Sequence, residues 1–136
     1  MILRRLLTTS VLASSLALAA CGSEKQTATA AEKEATPAQA RAEIAQVRTA
    51  LDKAVAALKD GDAKQAERLA SDGYLEHFEK VEAPLKKVDA ELNEKLEHTL
   101  REDLRDKIKS GAPATEIDRL VTDIKADLAT AEQKLQ

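Results

Sequence analysis

The chain has a single cysteine, no tryptophan, one tyrosine, one phenylalanine, three prolines and four glycines. Each scarcity excludes something. With Cys21 alone, no intrachain disulfide, cysteine zinc cluster or Cys-x-x-Cys redox pair can form. Four glycines make neither a phosphate-cradling loop nor a Gly-x-Ser-x-Gly elbow, and no free cysteine is left as a nucleophile, so no enzyme is expected. No stretch alternates in the two-residue rhythm of a strand. The longest apolar run, within residues 6–18, is shorter than the roughly 20 residues that cross a bilayer.

What is present at the amino end reads as an export signal. Arg4 and Arg5 supply positive charge, residues 6–18 an apolar stretch, and Leu18-Ala19-Ala20-Cys21 a cleavage site with small residues before a thiol. Charge, apolar run and Leu-Ala-Ala-Cys in that order resemble the lipobox of bacterial lipoproteins. That resemblance implies cleavage before Cys21 and acylation of its thiol. Two or three acyl chains hold a protein on a membrane, where one binds only marginally. Gly22 follows, not the aspartate that retains enteric lipoproteins at the inner membrane, which leans toward the outer membrane with the protein facing the periplasm. Residues 1–20 are thus the signal peptide. Residues 21–36 are the lipidated cysteine and a flexible tether with a reach on the order of 20 Å.

Residues 37–136 form the folded domain. They are rich in Ala, Leu, Glu and Lys, all good helix formers. Losing Arg4 and Arg5 moves the formal charge from −3 to about −5. That mild acidity disfavours nucleic acid or an anionic lipid surface as partner.

Helix one opens on a Thr36-Pro37-Ala38-Gln39 capping box and carries a stripe of Ile44, Val47, Leu51, Val55 and Leu58. Asp60-Gly61-Asp62 stops it. In helix two, Ala63, Ala66, Leu69 and Ala70 share one face. Tyr74, Phe78, Val81 and Leu85 share another, turned by roughly 100°. An extra residue looped into the helix near Ser71-Asp72-Gly73, or a kink there, accounts for the change. Pro84 is expected to end this helix near Glu82. Helix three follows Asp89 with Leu92, Leu96, Leu100, Leu104 and Ile108. Helix four follows Pro113 with Ile117, Leu120, Val121, Ile124, Leu128, Ala131 and Leu135. Short connections favour antiparallel neighbours, so an all-α, up-down-up-down four-helix bundle is expected. Both chain ends and the Pro84 connection would then share the membrane-facing pole.

The segment from Gly73 to Leu85, GYLEHFEKVEAPL, resembles the AYLDxFExVExxL stretch of the extracytoplasmic helical domain that precedes the membrane part of many bacterial high-affinity iron permeases. Tyr74, Phe78, Glu79 and Glu82 carry it most specifically. It extends through Asp89, Leu92, Leu96-Glu97, an arginine at 101 or 105, Ile108 and Gly111-Ala112, over about residues 61–136. Gly73 stands where Ala is usual. The permease's own Arg-Glu-x-x-Glu iron motif does not occur in these residues, so the resemblance implies an accessory domain set free and given a lipid anchor.

Three carboxylates then become candidate ligands for iron or another divalent metal: Glu79, Glu82 and Glu97, inward or bordering their apolar stripes, of the oxygen type that suits hard cations. The competing reading pairs Glu82 or Glu97 with Arg101 or Arg105 as a salt bridge fixing the hairpin. Tyr74 and Phe78 are expected in the core. His77 and His98 lie off the stripes and are expected at the surface. The functional expectation is a non-enzymatic envelope accessory linked to metal uptake, binding iron or docking on a permease or another envelope protein. The alternative is a structural, protein-interaction lipoprotein with no metal role.

Overall fold

A computed structural model describes residues 34–136. The expected signal peptide, Cys21 and most of the expected tether lie outside the described residues. Those described are all-helical, with four helices and no strand.

Helix α1 is Pro37–Lys59. Thr36 and Gln39 cap it reciprocally, each side chain accepting from the other's backbone amide. Two amides that the first turn leaves open are thereby satisfied. Gly61, at φ 82°, makes the left-handed turn after it. The Asp62 side chain then accepts the Gln65 amide at 2.8 Å and starts α2.

Helix α2 covers residues 63–88 in three stretches: α-helical Ala63–Asp72, π-helical Gly73–Phe78 and α-helical Glu79–Val88. The π turn is the looped-in residue that the phase change calls for. It lets Ala66 and Ala70 before it, and Tyr74, Phe78, Val81 and Leu85 after it, all enter one core. The expected break at Pro84 does not occur, and the helix continues to Val88. One hydrogen bond to the Lys80 carbonyl is forfeited. Val81, Pro84 and Leu85 are all buried, and such burial, at roughly 2 kcal/mol for a large apolar side chain, offsets that loss.

Asp89 alone joins α2 to α3. Its backbone is extended, its amide donates to the Leu85 carbonyl, and its side chain accepts the Leu92 amide at 2.9 Å. Helix α3 covers residues 90–109 and is also interrupted, by a second π stretch at Thr99–Asp103. Helix α4 is Ala114–Lys134, entered from Pro113.

The core is aliphatic apart from Tyr74 and Phe78. In α1 beyond Leu51 the buried positions are Ala54 and Ala57, with Val55 and Leu58 only partly covered. The stripe expected through Val55 and Leu58 is shifted there because α2 approaches on small residues. A Cβ built on Gly73 would stand 3.1 Å from that of Ala50. Glycine is used here for proximity; its backbone is ordinary right-handed helix.

Side-chain contacts tie distant parts of the chain. Arg41 donates to the Leu135 carbonyl, Arg48 pairs with Glu132 at 2.8 Å, and Lys125 pairs with Asp52. Lys134 reaches Asp89 at 3.0 Å, Lys95 reaches Asp127 at 2.7 Å, and Lys107 pairs with Glu116. No described helix is long and apolar enough to cross a membrane.

Candidate functional site

The polar cluster that the sequence singles out lies where α2 and α3 run side by side. Its geometry depends on the π turn. In an unbroken α-helix Tyr74 and Glu82, eight residues apart, would point roughly 80° away from each other; one surplus residue reduces that to about 20°. The Tyr74 hydroxyl accordingly donates to Glu82 Oε1 at 2.9 Å. The Tyr74 ring is buried and tilted against Phe78, with centroids 6.1 Å apart, so packing holds the phenol in place.

On α3, the second π turn contains Arg101 and follows Glu97 by two residues. Arg101 Nη1 and Glu97 Oε1 are 3.4 Å apart. Burial raises the Glu82 carboxyl above its ordinary value, and the negative charges of Glu97 and Glu79 add to this, against the Tyr74 hydrogen bond and Arg101. Burial likewise pushes the Tyr74 hydroxyl up to about 12, with its hydrogen bond to Glu82 contributing. Tyr74 and Glu82 both feel the charges of Glu97 and Arg101, so the four lie together across two helices.

Both bonds of the cluster are made within a helix, Tyr74 to Glu82 in α2 and Arg101 to Glu97 in α3. Neither fixes the register of the hairpin. That role falls to a carboxylate the sequence does not single out: Glu67 of α2 meets Arg105, a candidate partner of Glu82 or Glu97 in the sequence, at 3.6 Å and Lys109 at 3.2 Å, both on α3. Arg105 is therefore drawn away from Glu82 and Glu97.

Glu79 is exposed and lines a groove between α1 and α2. Among the described residues no three His, Cys, Asp or Glu side chains are placed to hold a metal ion together. Two of the three candidate ligands, Glu82 and Glu97, share the cluster; Glu79 influences it by charge only.

His77 departs from its expected surface place. Its Nδ1 lies 2.7 Å from Glu43 Oε2 on α1, with Lys80 Nζ 3.4 Å from the same carboxylate, and both His77 and Glu43 are half-buried. A wheel drawn for an unbroken α-helix misplaces His77, because the π turn rotates it toward α1. Burial raises the Glu43 carboxyl, but bonds to His77 and Lys80 outweigh it and hold the carboxyl below the ordinary range. His98 is exposed, beside Glu102 at 3.2 Å and Asp103 at 3.4 Å.

No family model matches this chain, and no curated protein or solved structure matches it.

Proposed function

We propose that this chain is a bacterial envelope lipoprotein whose four-helix domain serves as a non-enzymatic accessory of metal uptake. Cys21, acylated, anchors it to the membrane, the outer one in an enteric-type envelope, and the domain stands in the periplasm. The helices run up-down-up-down. Support for that arrangement comes from contacts joining the start of one helix to the end of another: Arg41 with Leu135, Asp89 with Lys134, Glu67 with Lys109, Lys107 with Glu116. In this arrangement Thr36, Asp89 and Leu135 share one pole, and the tether brings that pole to the membrane, within reach of a permease.

One observation carries the metal link. Tyr74, Glu82, Glu97 and Arg101, residues of the stretch that resembles the iron-permease domain, gather in one cluster across α2 and α3. A hard cation entering there would bind the Glu82 carboxylate and take the place of the Arg101 guanidinium on Glu97, with the phenol of Tyr74 beside it. Calorimetric titration of ferrous and ferric iron into the protein tests this. Heat of binding is expected from the native chain and its loss from Glu82→Gln; silence from both, or equal binding by both, refutes it.

A second reading, a protein-interaction lipoprotein with no metal role, is favoured by the pairing already present. Glu97 has Arg101 and Glu82 has Tyr74, so the cluster is satisfied as it stands.

A further inference from the structure

Among the described residues, only Leu75 and Val88 are large apolar side chains more than half exposed, at 52% and 53%. Leu75 belongs to the first π turn, which directs Tyr74 and Phe78 inward and leaves Leu75 pointing out. It is not isolated on a convex surface. It lines an open groove of about 620 Å³ between the start of α1 and α2, together with Ala35 and Ala83. The rim is acidic, with Glu34, Glu43 and Glu79, and Lys80 is the one cation lining it among the described residues. Lys80 and His77 are paired with Glu43, and Lys87 with Glu34, which leaves Glu79 as the rim carboxylate without an ion pair among the described residues.

An apolar floor with a carboxylate rim repels an anionic lipid surface and matches a segment bearing both an aliphatic side chain and ammonium or guanidinium groups. We propose that this groove docks a basic, leucine-bearing segment of a protein partner, with the partner's aliphatic side chain against Leu75, Ala35 and Ala83 and its cations against Glu79. The proposal is separate from the metal reading, since it uses the α1–α2 side of α2 and not the α2–α3 cluster.

The test uses a synthetic amphipathic peptide of lysine and leucine at helical spacing, and its counterpart with glutamate for lysine. Methyl NMR spectra of the protein report the place of contact. The Leu75, Ala35 and Ala83 methyls are expected to shift with the lysine peptide and not with the glutamate peptide. Leu75→Ser, at an exposed position that leaves the core intact, should weaken binding about tenfold. Val88→Ser should leave it unchanged. Equal weakening by Val88→Ser, or shifts spread evenly over all acidic faces, overturns the proposal as mere charge attraction. Two other occupants are also distinguishable. If deleting residues 22–33 by itself moves the Leu75 methyls, the chain's own tether fills the groove. If those methyls move with protein concentration alone, a second copy does. Either result overturns it.

Discussion

Gly73→Ala offers a sharp test of how the helices meet, because two effects of opposite sign act on one methyl group. In an exposed helix, alanine in place of glycine stabilises by about 1 kcal/mol, and Gly73 already has helical φ and ψ of −57° and −37°. At this position, however, the new Cβ would stand 3.1 Å from the Ala50 Cβ. Carbon atoms pack best at about 3.5–4.0 Å. Neither carbon can rotate away, so α1 and α2 must part, and overpacking of this kind costs about 1–3 kcal/mol. The net expectation is a loss of about 1 kcal/mol, seen as a fall in Tm of about 5 °C for a domain of this size. The partner variant decides the cause. Ala50→Gly should cost about 1 kcal/mol of helix propensity alone, yet on that background Gly73→Ala should stabilise by about the same amount. Urea denaturation of the four proteins gives the coupling. If Gly73→Ala stabilises the native background by the full propensity gain, α1 and α2 do not close on each other at this level and the account of the small-residue seam is wrong.

Two further perturbations probe the interior. Asn93 is only 4% exposed and its Oδ1 is buried without a partner, so Asn93→Leu should raise the urea midpoint by about 1 kcal/mol of stability; a fall would mean that the amide is satisfied in solution. Glu82 binds its proton more tightly in the folded chain than in the unfolded one. Its contribution is fully present below the ordinary glutamate value and is lost as pH rises through the raised one. Glu82→Gln, which keeps an oxygen for Tyr74, should therefore match the native stability in acid and exceed it increasingly toward neutral pH. A constant difference across that range would contradict the burial of this carboxyl.

Much of the helical content could be read directly because its signals are local. The Thr36-Gln39 box, the Gly61 turn and the Asp89 cap each act within a few residues, and each sits where the pattern puts it. The phase change near Gly73 was legible too, since a stripe that jumps by one residue's rotation needs one residue of slack. The second π turn had a fainter signal. Leu92, Leu96, Leu100, Leu104 and Ile108 recur strictly every fourth residue, and in a pure α-helix that spacing drifts by roughly 160° from first to last. All but Leu92 are fully buried, which a straight helix would not allow. Pro84 misled because a local rule met a tertiary one: its missing hydrogen bond counts for less than the core contacts of the turn that contains it. The contacts of the site were less accessible still. Nothing near His77 in sequence announces Glu43, thirty-four residues away, and the draw of Glu67 on Arg105 is a property of the packed hairpin.

The two π turns pack side by side, so each arm of the α2–α3 hairpin holds one surplus residue at the same height. Relatives from which both had been deleted would keep the same loops and the same pairing of the two arms, and an alignment would have to open its gaps in mid-helix, where gaps are ordinarily refused. The damage of closing one turn while keeping its surplus residue would be specific. Substitutions that wound the first π turn into regular α-helix with every residue kept would swing the phenol roughly 80° from its carboxylate while leaving helix content almost untouched. Such a lesion would pass a circular-dichroism screen and fail only where the cluster is needed.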